Sequence, residues 1–387
     1  MLDPQHLRPH YQEFLREGRI LLTGHSHQGW PDVARQGLME SFRDAALRVD
    51  EKWELAMEAA DAVRLAVAER IGAKAGEIAL GASTHELTTR FLSALDLRRR
   101  PHIVTTSGEF HSLHRQLARL AEEGVEVTFV PAEPADELAS RLAGAITERT
   151  AALMVSTVLF ETSTIVPSLA VAVEAAQRHG AEVLLDAYHA FCAVPFQVSH
   201  YGADPIFVTG GGYKYAQWGE GCCWLRVPSG TALRPVYTGW FSDFEHLSEA
   251  REGGRVTYGP RPADRFAGST YDPASHYRAR AVIELFDAVL ETSVAELRAL
   301  SLRQTQRILD GLDGFVVRTP SSDASRGGFV AIELAGAGDV VRALRERGIH
   351  TDARGDILRL GPAPYVTDDE IDAALEALRA IRSEVRP

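Results

Sequence analysis

Short apolar runs alternate with helical patterns through the middle of the chain. The runs lie at residues 103–105, 125–130 and 151–156, and each precedes a stretch with helically spaced apolar residues, at 113–123, 138–146 and 169–179. Strands alternating with helices of this length are typical of crossover units in a mainly parallel sheet. Gly124 and Gly180 follow two of these stretches, where helix C-caps are expected. The pattern therefore predicts an α/β fold.

Different patterns occur towards the two ends of the chain. Helical spacing runs from about 32 to 71 with an interruption near Asp50, and again from about 275 to 290. Beyond that point the pattern predicts helices at 294–312, at 338–347 and from 368, with strands at 315–318 and 329–334. Because 387 residues exceed what one core normally holds, we predict an N-terminal arm at 1–40, a large domain at 41–274 and a smaller α+β domain at 275–387.

Charge and composition narrow the possible functions. A formal charge of −12 disfavours binding to nucleic acid, and the absence of a run of about 18 apolar residues disfavours a membrane span. The N-terminus lacks the features of a secretory signal. Three cysteines, Cys192, Cys222 and Cys223, are too few for a disulfide framework, and the adjacent pair should face opposite sides of a strand. We therefore expect a cytoplasmic protein without nucleic-acid or membrane partners.

Polar residues that could bind a ligand or take part in catalysis follow the apolar runs. Ser156, Asp186 and Thr209 each close such a run, and the ends of parallel strands meet at the edge where α/β sheets bind ligands. Lys214 follows in the glycine-rich stretch 210–215. A carboxylate for a pyridine nitrogen and an amine for an aldehyde together suit pyridoxal phosphate. Each residue alone also has a structural interpretation, Asp186 as a helix cap and Lys214 as part of a surface turn.

Several segments, in order along the chain, resemble the motifs of one enzyme family. They are Gly24-His25-Ser26-His27-Gln28-Gly29, Gly81-Ala82-Ser83-Thr84, Glu109-Phe110-His111-Ser112, Asp186-Ala187-Tyr188-His189, Tyr213-Lys214, Gly239-Trp240-Phe241, Gly268-Ser269-Thr270 and the segment from Arg359 to Tyr365. Together they resemble the fold-type I pyridoxal phosphate enzymes, and within the aminotransferase class V branch they are most similar to kynureninases. The resemblance implies a mainly parallel sheet in the large domain and a smaller C-terminal α+β domain.

The resemblance also implies which residues hold the ring of the cofactor. Lys214 would bind the cofactor covalently, and Asp186 would pair with the pyridine nitrogen. Aromatic, imidazole and hydroxyl groups around the ring would come from Phe110, His189, Ser156 and Thr162. The residues alone leave open that Phe110 is a core residue and that His189 is a structural histidine at the start of a helix.

The phosphate is expected to meet residues from two subunits. The resemblance places four residues near it, Ser83, Thr84, Tyr213 and Trp240. Ser269 and Thr270 would reach it from the partner, which implies a homodimer with shared sites. A helix N-terminus suits an anion at Ser83, although a simple capping residue would look the same, and a lone tryptophan such as Trp240 often serves packing.

The substrate and the reaction follow from the same resemblance. Arg359 would clamp the α-carboxylate of an amino acid, because a guanidinium bonds both oxygens, and Ser26 would approach the same group. Lys214, as a neutral amine, would remove the α proton, while Tyr213 would donate a proton later. Together with Asp186 these are the expected catalytic residues; no metal is predicted. In a kynureninase-like reaction, water adds to a γ-carbonyl and the Cβ–Cγ bond breaks, giving alanine and an aromatic acid.

Other activities on the same scaffold stay open. The chain departs from the kynureninase pattern at Leu113, where the pattern has aspartate, and at Glu161-Thr162-Ser163, where it has Tyr-Thr-Gly. A cysteine desulfurase or selenocysteine lyase ranks lower, because no cysteine occurs in the C-terminal part of the chain. Transamination or racemisation ranks between the two. A non-catalytic scaffold that binds pyridoxal phosphate is disfavoured by the combination of Lys214, Asp186 and Arg359.

Overall fold

The computed structural model describes residues 2–246 and 254–385, which form eleven α-helices and thirteen strands. The helices are α1 (Pro4–Leu7), α2 (Val33–Arg48), α3 (Lys52–Ile71), α4 (Thr84–Ala94), α5 (His111–Glu122), α6 (Ala135–Ala145), α7 (Ala170–Arg178), α8 (Ala274–Glu284), α9 (Val294–Asp310), α10 (Ala337–Glu346) and α11 (Asp368–Val385). The strands are β1 (Ile20–Leu21), β2 (Ile78–Gly81), β3 (His102–Thr106), β4 (Glu126–Val130), β5 (Thr150–Ser156), β6 (Glu182–Asp186), β7 (Phe207–Gly211), β8 (Cys223–Arg226), β9 (Val316–Val317), β10 (Val330–Glu333), β11 (Ile349–His350), β12 (Asp352–Arg354) and β13 (Ile357–Leu360).

The predicted alternation of strands and helices is confirmed. The helical pattern broken near Asp50 is two helices, α2 and α3, separated at residues 49–51. Gly124 and Gly180 follow α5 and α7 with φ of 92° and 64°, values that glycine adopts without steric cost. These glycines therefore end the helices where the sequence indicated.

The large sheet has seven strands in the order β2-β8-β7-β6-β5-β3-β4. Only β8 runs against the others, so the sheet is mainly parallel, as predicted. Helices cover both faces, α3, α6, α7 and α8 on one and α4 and α5 on the other. Cys222 packs in the core on the first face and Cys223 in the core on the second, which confirms that the adjacent cysteines point to opposite sides.

A second core lies around an antiparallel sheet of order β12-β13-β10-β9. It contains apolar side chains of α9, α10 and α11, and also Leu7, Tyr11, Leu21 and Leu22 from the start of the chain. The strand β1 pairs in parallel with β11. The first residues thus pack against the C-terminal segment, while the division into three parts at 40 and 274 stays a prediction.

None of the helices within residues 2–246 and 254–385 combines the length and the apolar character needed to cross a membrane.

Candidate active site

Three polar residues form one row across neighbouring parallel strands. Ser156 on β5 pairs in register with Asp186 on β6, and Asp186 pairs with Thr209 on β7. The row confirms that these positions lie side by side at one edge of the sheet. Thr209 uses its hydroxyl to bind the backbone oxygen of Trp224 at 3.0 Å, whereas Ser156 and Asp186 border a cavity.

Lys214 lies in a buried turn just beyond β7. Its side chain is 5% exposed, and Nζ is 2.7 Å from Nε2 of His189. Nζ also lies 5.4 Å, 4.6 Å and 5.8 Å from the ring centroids of Phe110, Tyr188 and Tyr213. Burial lowers the pKa of Lys214 to about 7. A large fraction of this amine is therefore neutral at physiological pH and able to act as a nucleophile or a base.

His189 is the polar partner of that amine. Burial and the positive charge of Lys214 keep the pKa of the imidazole well below its ordinary value, so the ring is neutral. A neutral ring accepts a hydrogen bond from the amine at Nε2. The charge near the end of the sheet thus rests on Lys214 and Asp186, with His189 as a neutral group beside them.

Two carboxyl groups lie at this edge of the sheet, Asp186 within the row and Glu109 beside it. Asp186 accepts a hydrogen bond from the backbone nitrogen of Tyr188 at 2.8 Å, and burial raises its pKa. Glu109 is 2% exposed and binds Ser156 twice, with 3.0 Å to the backbone nitrogen and 2.6 Å to the hydroxyl. Burial raises the pKa of Glu109 to about 8. Glu109 was not among the expected site residues.

A cavity of about 330 Å³ lies at this edge of the sheet. Eight residues expected near the cofactor border it: Ser83, Thr84, Phe110, Ser156, Asp186, His189, Tyr213 and Lys214. Other walls come from residues that the motifs did not single out, namely His85, Ser112, Phe160, Tyr188 and Cys223. Its size lies at the lower end of typical ligand pockets.

One end of the cavity is the N-terminus of α4. Ser83 is the N-cap, and its hydroxyl accepts a hydrogen bond from the backbone nitrogen of Glu86 at 3.2 Å. Ser83 therefore has the capping role that the sequence left open. Capping does not exclude an anion, because other backbone N–H groups of the first turn and the helix dipole remain available.

The three residues Arg359, Ser26 and Thr162 do not border this cavity. The Arg359 side chain, 2% exposed, is bound to both oxygens of Asp352. The Ser26 hydroxyl lies 3.3 Å from the backbone oxygen of Thr23, and the Thr162 hydroxyl lies 2.7 Å from that of Thr164. Their expected roles stay predictions.

Trp240, Ser269 and Thr270 also lie away from Lys214 in the same chain. The indole nitrogen of Trp240 donates to the Thr270 hydroxyl at 3.0 Å. Ser269 and Thr270 border a second cavity of about 700 Å³, which adjoins the first through shared walls at Ala82, Glu220 and Gly221. None of these three residues borders the cavity that Lys214 lines.

Comparison with known proteins places the chain in a family. A model described as aminotransferase class V matches residues 40–363, and the chain belongs to this family. A kynureninase from Geobacillus thermodenitrificans is 26% identical over 260 residues, which is 62% of this chain and 56% of that protein. A kynureninase from Deinococcus radiodurans is 28% identical over 84% of this chain and 78% of that protein.

A solved structure shares the whole fold. The cysteine desulfurase from Thermococcus onnurineus NA1 superposes with a TM-score of 0.83, covering 100% of this chain and 99% of that chain at 19% identity. At this identity the likeness supports the fold alone, which is that of the fold-type I enzymes. Pyridoxal 5'-phosphate is the cofactor of the family, and the chain is a pyridoxal phosphate-dependent enzyme of class V.

The chemistry of the cavity walls suits this cofactor. The Lys214 amine and the Asp186 carboxylate match its aldehyde and its ring nitrogen, and the α4 N-terminus matches its phosphate. Gly211 keeps one wall open, since a Cβ there would lie only 2.7 Å from Sγ of Cys223 and closer still to the Tyr188 hydroxyl.

Sequence reasoning missed four residues that contact the expected ones. Tyr188 lies inside the motif that contains Asp186 and His189, so its position was a usable signal. Glu109 precedes Phe110, but nothing in the sequence indicates that this carboxyl is buried. Asp352 and His25 contact Arg359 or its partner only through the pairing of distant segments. The last three therefore needed tertiary structure to be found.

Proposed function

We propose that the protein is a hydrolase that uses pyridoxal phosphate to cleave the Cβ–Cγ bond of kynurenine or a related amino acid, releasing alanine and an aromatic acid. The observation that carries the proposal is the Lys214 amine, which is buried among aromatic rings beside a neutral histidine. Two relatives named as kynureninases support the same reaction. The match to the first of them spans 56% of that protein's length.

We assign the cofactor to the cavity between α4 and the strand ends. Lys214 would hold its aldehyde carbon, Asp186 its ring nitrogen, and the first turn of α4 at Ser83 and Thr84 its phosphate. Phe110 would lie against the ring. When bound, the cofactor supplies an electron sink for the charge left on the α-carbon of the substrate.

Two side chains would move protons. Lys214, with a pKa of about 7, is neutral often enough to take the α proton, and its hydrogen bond to His189 fixes the position of Nζ. Burial raises the pKa of Tyr213 to about 12, so its hydroxyl keeps a proton at neutral pH. Tyr213 can therefore act as the donor that protonates the alanine carbon after bond cleavage.

The α-carboxylate and the aromatic part of the proposed substrate would each meet side chains of suitable chemistry. Arg359 would bind the α-carboxylate, with Ser26 nearby on the segment that precedes α2. An aromatic leaving group would meet Phe110 and Phe160, whose rings are 5.5 Å apart in an edge-to-face arrangement, and Tyr188, whose ring centroid lies 4.6 Å from Nζ of Lys214. Aromatic pairs of this geometry favour a further aromatic partner.

Cysteine desulfurase activity is the second candidate, because solved desulfurases share the fold. Such an activity needs a mobile, reactive cysteine. Cys223 borders the cavity, but it lies on β8, and burial raises the pKa of its thiol to about 11. Burial raises the pKa of Cys192 to about 11 as well. Thiols held in this state are poor nucleophiles, which places this activity below the hydrolase.

The test is an absorbance spectrum followed by product analysis. Purified protein is reconstituted with pyridoxal phosphate and mixed with kynurenine, 3-hydroxykynurenine or cysteine, and alanine, anthranilates and sulfide are measured. Alanine with an anthranilate, absent in Lys214→Ala, supports the proposal. A cofactor band with sulfide from cysteine supports the desulfurase. A band without any product points to transamination, racemisation or a non-catalytic scaffold, which a screen of other amino acids separates.

We also propose a homodimer in which Ser269 and Thr270 act on the partner's cofactor. This arrangement is supported by the fact that Ser269 and Thr270 border the adjoining larger cavity and not the one that Lys214 lines. Co-expression of Lys214→Ala with a Ser269→Ala, Thr270→Ala double variant would then restore about a quarter of wild-type activity, since half the dimers would carry one intact site. Activity no higher than that of either variant alone would contradict shared sites.

The division at residues 40 and 274 and a cytoplasmic location are further parts of the proposal. Three free cysteines, each at least partly buried, are compatible with a reducing compartment. Limited proteolysis with mass spectrometry tests the division, and fractionation of the source cells tests the location.

A further inference from the structure

The guanidinium of Arg359 is held by the chain on two sides. Arg359 on β13 lies directly opposite Asp352 on β12 in the antiparallel pair. The Asp352 carboxylate accepts hydrogen bonds from Nε at 2.9 Å and from Nη2 at 2.5 Å. Nη1 donates to the backbone oxygen of Phe160 at 2.8 Å. Of the five N–H groups of an arginine, these contacts use three and leave one on each terminal nitrogen.

Those two remaining N–H groups are what a bidentate carboxylate needs. A long, flexible arginine side chain loses conformational freedom when it binds a ligand, and a side chain that is already fixed loses less. The pairing with Asp352 also compensates the positive charge of a residue that is only 2% exposed. Asp352 therefore orients the guanidinium of Arg359 and compensates its positive charge.

His25 holds Asp352 from the other side. Its Nε2 lies 2.8 Å from Oδ1 of Asp352, and its ring stacks on Phe329 with centroids 4.6 Å apart. Burial lowers the pKa of His25 to about 4, so the neutral ring donates from Nε2. The opposite ring nitrogen packs against Gly361, where a Cβ would overlap it. His25 thus has one position available, which directs its N–H to Asp352.

We propose that Asp352 and His25 are positioning residues that preset Arg359 to receive the α-carboxylate of the substrate. Asp352 acts on the guanidinium directly and His25 acts through Asp352. The inference rests on the proposed role of Arg359, and it names two residues on segments 327 positions apart that together set the specificity for α-carboxylates.

The test compares the binding of two small amines. The holoenzyme is titrated with each amine, and the change in cofactor absorbance gives its dissociation constant. L-alanine carries the carboxylate, and L-alaninamide has the same size without that charge. The ratio of their dissociation constants measures the carboxylate preference alone. We expect Arg359→Ala to abolish the preference and Asp352→Asn to reduce it about 10- to 100-fold, the range expected when a hydrogen bond to a charged group is weakened.

Further variants separate positioning from general damage. His25→Leu, which cannot donate, should reduce the preference, and His25→Gln, which can, should restore most of it. Arg354→Gln is the control. It removes a positive charge that lies 3.5 Å from Asp352 but does not orient Arg359, so it should leave the preference for L-alanine unchanged. Asp352→Glu serves as a charge-preserving check if Asp352→Asn does not fold.

The possible outcomes distinguish the inference from the proposed function. If the wild type shows no preference for L-alanine over L-alaninamide, or if Arg359→Ala keeps the wild-type ratio of dissociation constants, Arg359 is not the clamp and both ideas fail. If Arg359→Ala loses the preference while Asp352→Asn and His25→Leu keep it, the clamp stands and the positioning role is wrong. A second readout is the pH dependence of the cofactor absorbance. Removing the negative charge of Asp352 should shift the transition in Asp352→Asn to lower pH, because a nearby carboxylate favours the protonated form of a nitrogen.

Discussion

Replacing Lys214 by methionine should stabilise the cofactor-free protein at low pH and lose that advantage at high pH. In the folded chain, burial lowers the pKa of this amine to about 7, and unfolding returns it to about 10.4. A difference of about 3.5 units corresponds to about 5 kcal/mol. Between the folded pKa of about 7 and the unfolded pKa of about 10.4, the unfolded chain binds more protons than the folded one, so the stability of the wild type rises with pH. Below pH 7 both states are protonated, and the full cost of burying the charged lysine is present.

Methionine fills a similar space without a charge, but it loses the hydrogen bond to His189, which contributes about 1 kcal/mol. The variant should therefore be more stable by about 4 kcal/mol at pH 6 and less stable by about 1 kcal/mol near pH 10.5. Urea unfolding of the cofactor-free protein at one-unit pH intervals measures this difference.

The control is Lys74→Met, which removes an amine from an exposed position where water solvates the charge. Its effect on the unfolding free energy should not follow the same pH course. A Lys214→Met difference that stays constant from pH 6 to pH 10 would refute the reasoning, because the stabilisation would then come from packing and not from the buried charge.

Three further predictions concern residues around the same cavity. Asp186→Asn keeps the shape and removes the charge that we propose faces the ring nitrogen, so kcat should fall about 100-fold or more at saturating cofactor, and unchanged kinetics would contradict the proposed role. Glu109→Gln should be more stable than the wild type at pH 8.5 by up to about 4 kcal/mol and equal to it near pH 4. The wild type loses stability as the pH rises from about 4.3 to about 8, because in that window the folded carboxyl keeps a proton that the unfolded one has lost; urea midpoints that differ equally at both pH values would argue against this. Gly211→Ala places a Cβ against Tyr188 and Cys223 and should cost about 1–3 kcal/mol in urea unfolding, whereas Gly144→Ala, with open space around it, should cost nothing.

The features that local pattern determines could be predicted from the sequence. Alternating apolar runs and helical spacing indicated the parallel sheet, and the strand-end rule brought Ser156, Asp186 and Thr209 together. Each of these inferences uses neighbours in the sequence or a general property of parallel strands.

The features that depend on register between distant segments could not be predicted. Asp352 faces Arg359 only because β12 and β13 pair with these two residues opposite each other. Glu109 looks like any surface glutamate in the sequence, and only the packing of the strand ends removes it from water. Burial is a property of the whole fold, and so are the pKa shifts that burial causes.

The charged residues discussed above come from both sheets of the molecule. Lys214 and His189 follow strands of the large sheet, whereas Arg359 and Asp352 belong to the small one. The Phe329 ring contacts residues of both groups. Its centroid lies 5.7 Å from that of His189 and 5.6 Å from Cζ of Arg359, and it also lies 4.6 Å from the centroid of the His25 ring.

Within this arrangement Arg359 lowers the pKa of Lys214 and Asp352 raises it. An arginine that binds the carboxylate without a counter-ion would drive the lysine further towards its neutral form and weaken its ability to hold a proton once it has taken one. Asp352 offsets that effect, because its negative charge raises the pKa of Lys214. In the proposed mechanism, this one carboxylate would therefore orient the group that binds the substrate and also keep the pKa of the base from falling further. Asp352 would thereby couple substrate selection by the small sheet to proton transfer at the end of the large one.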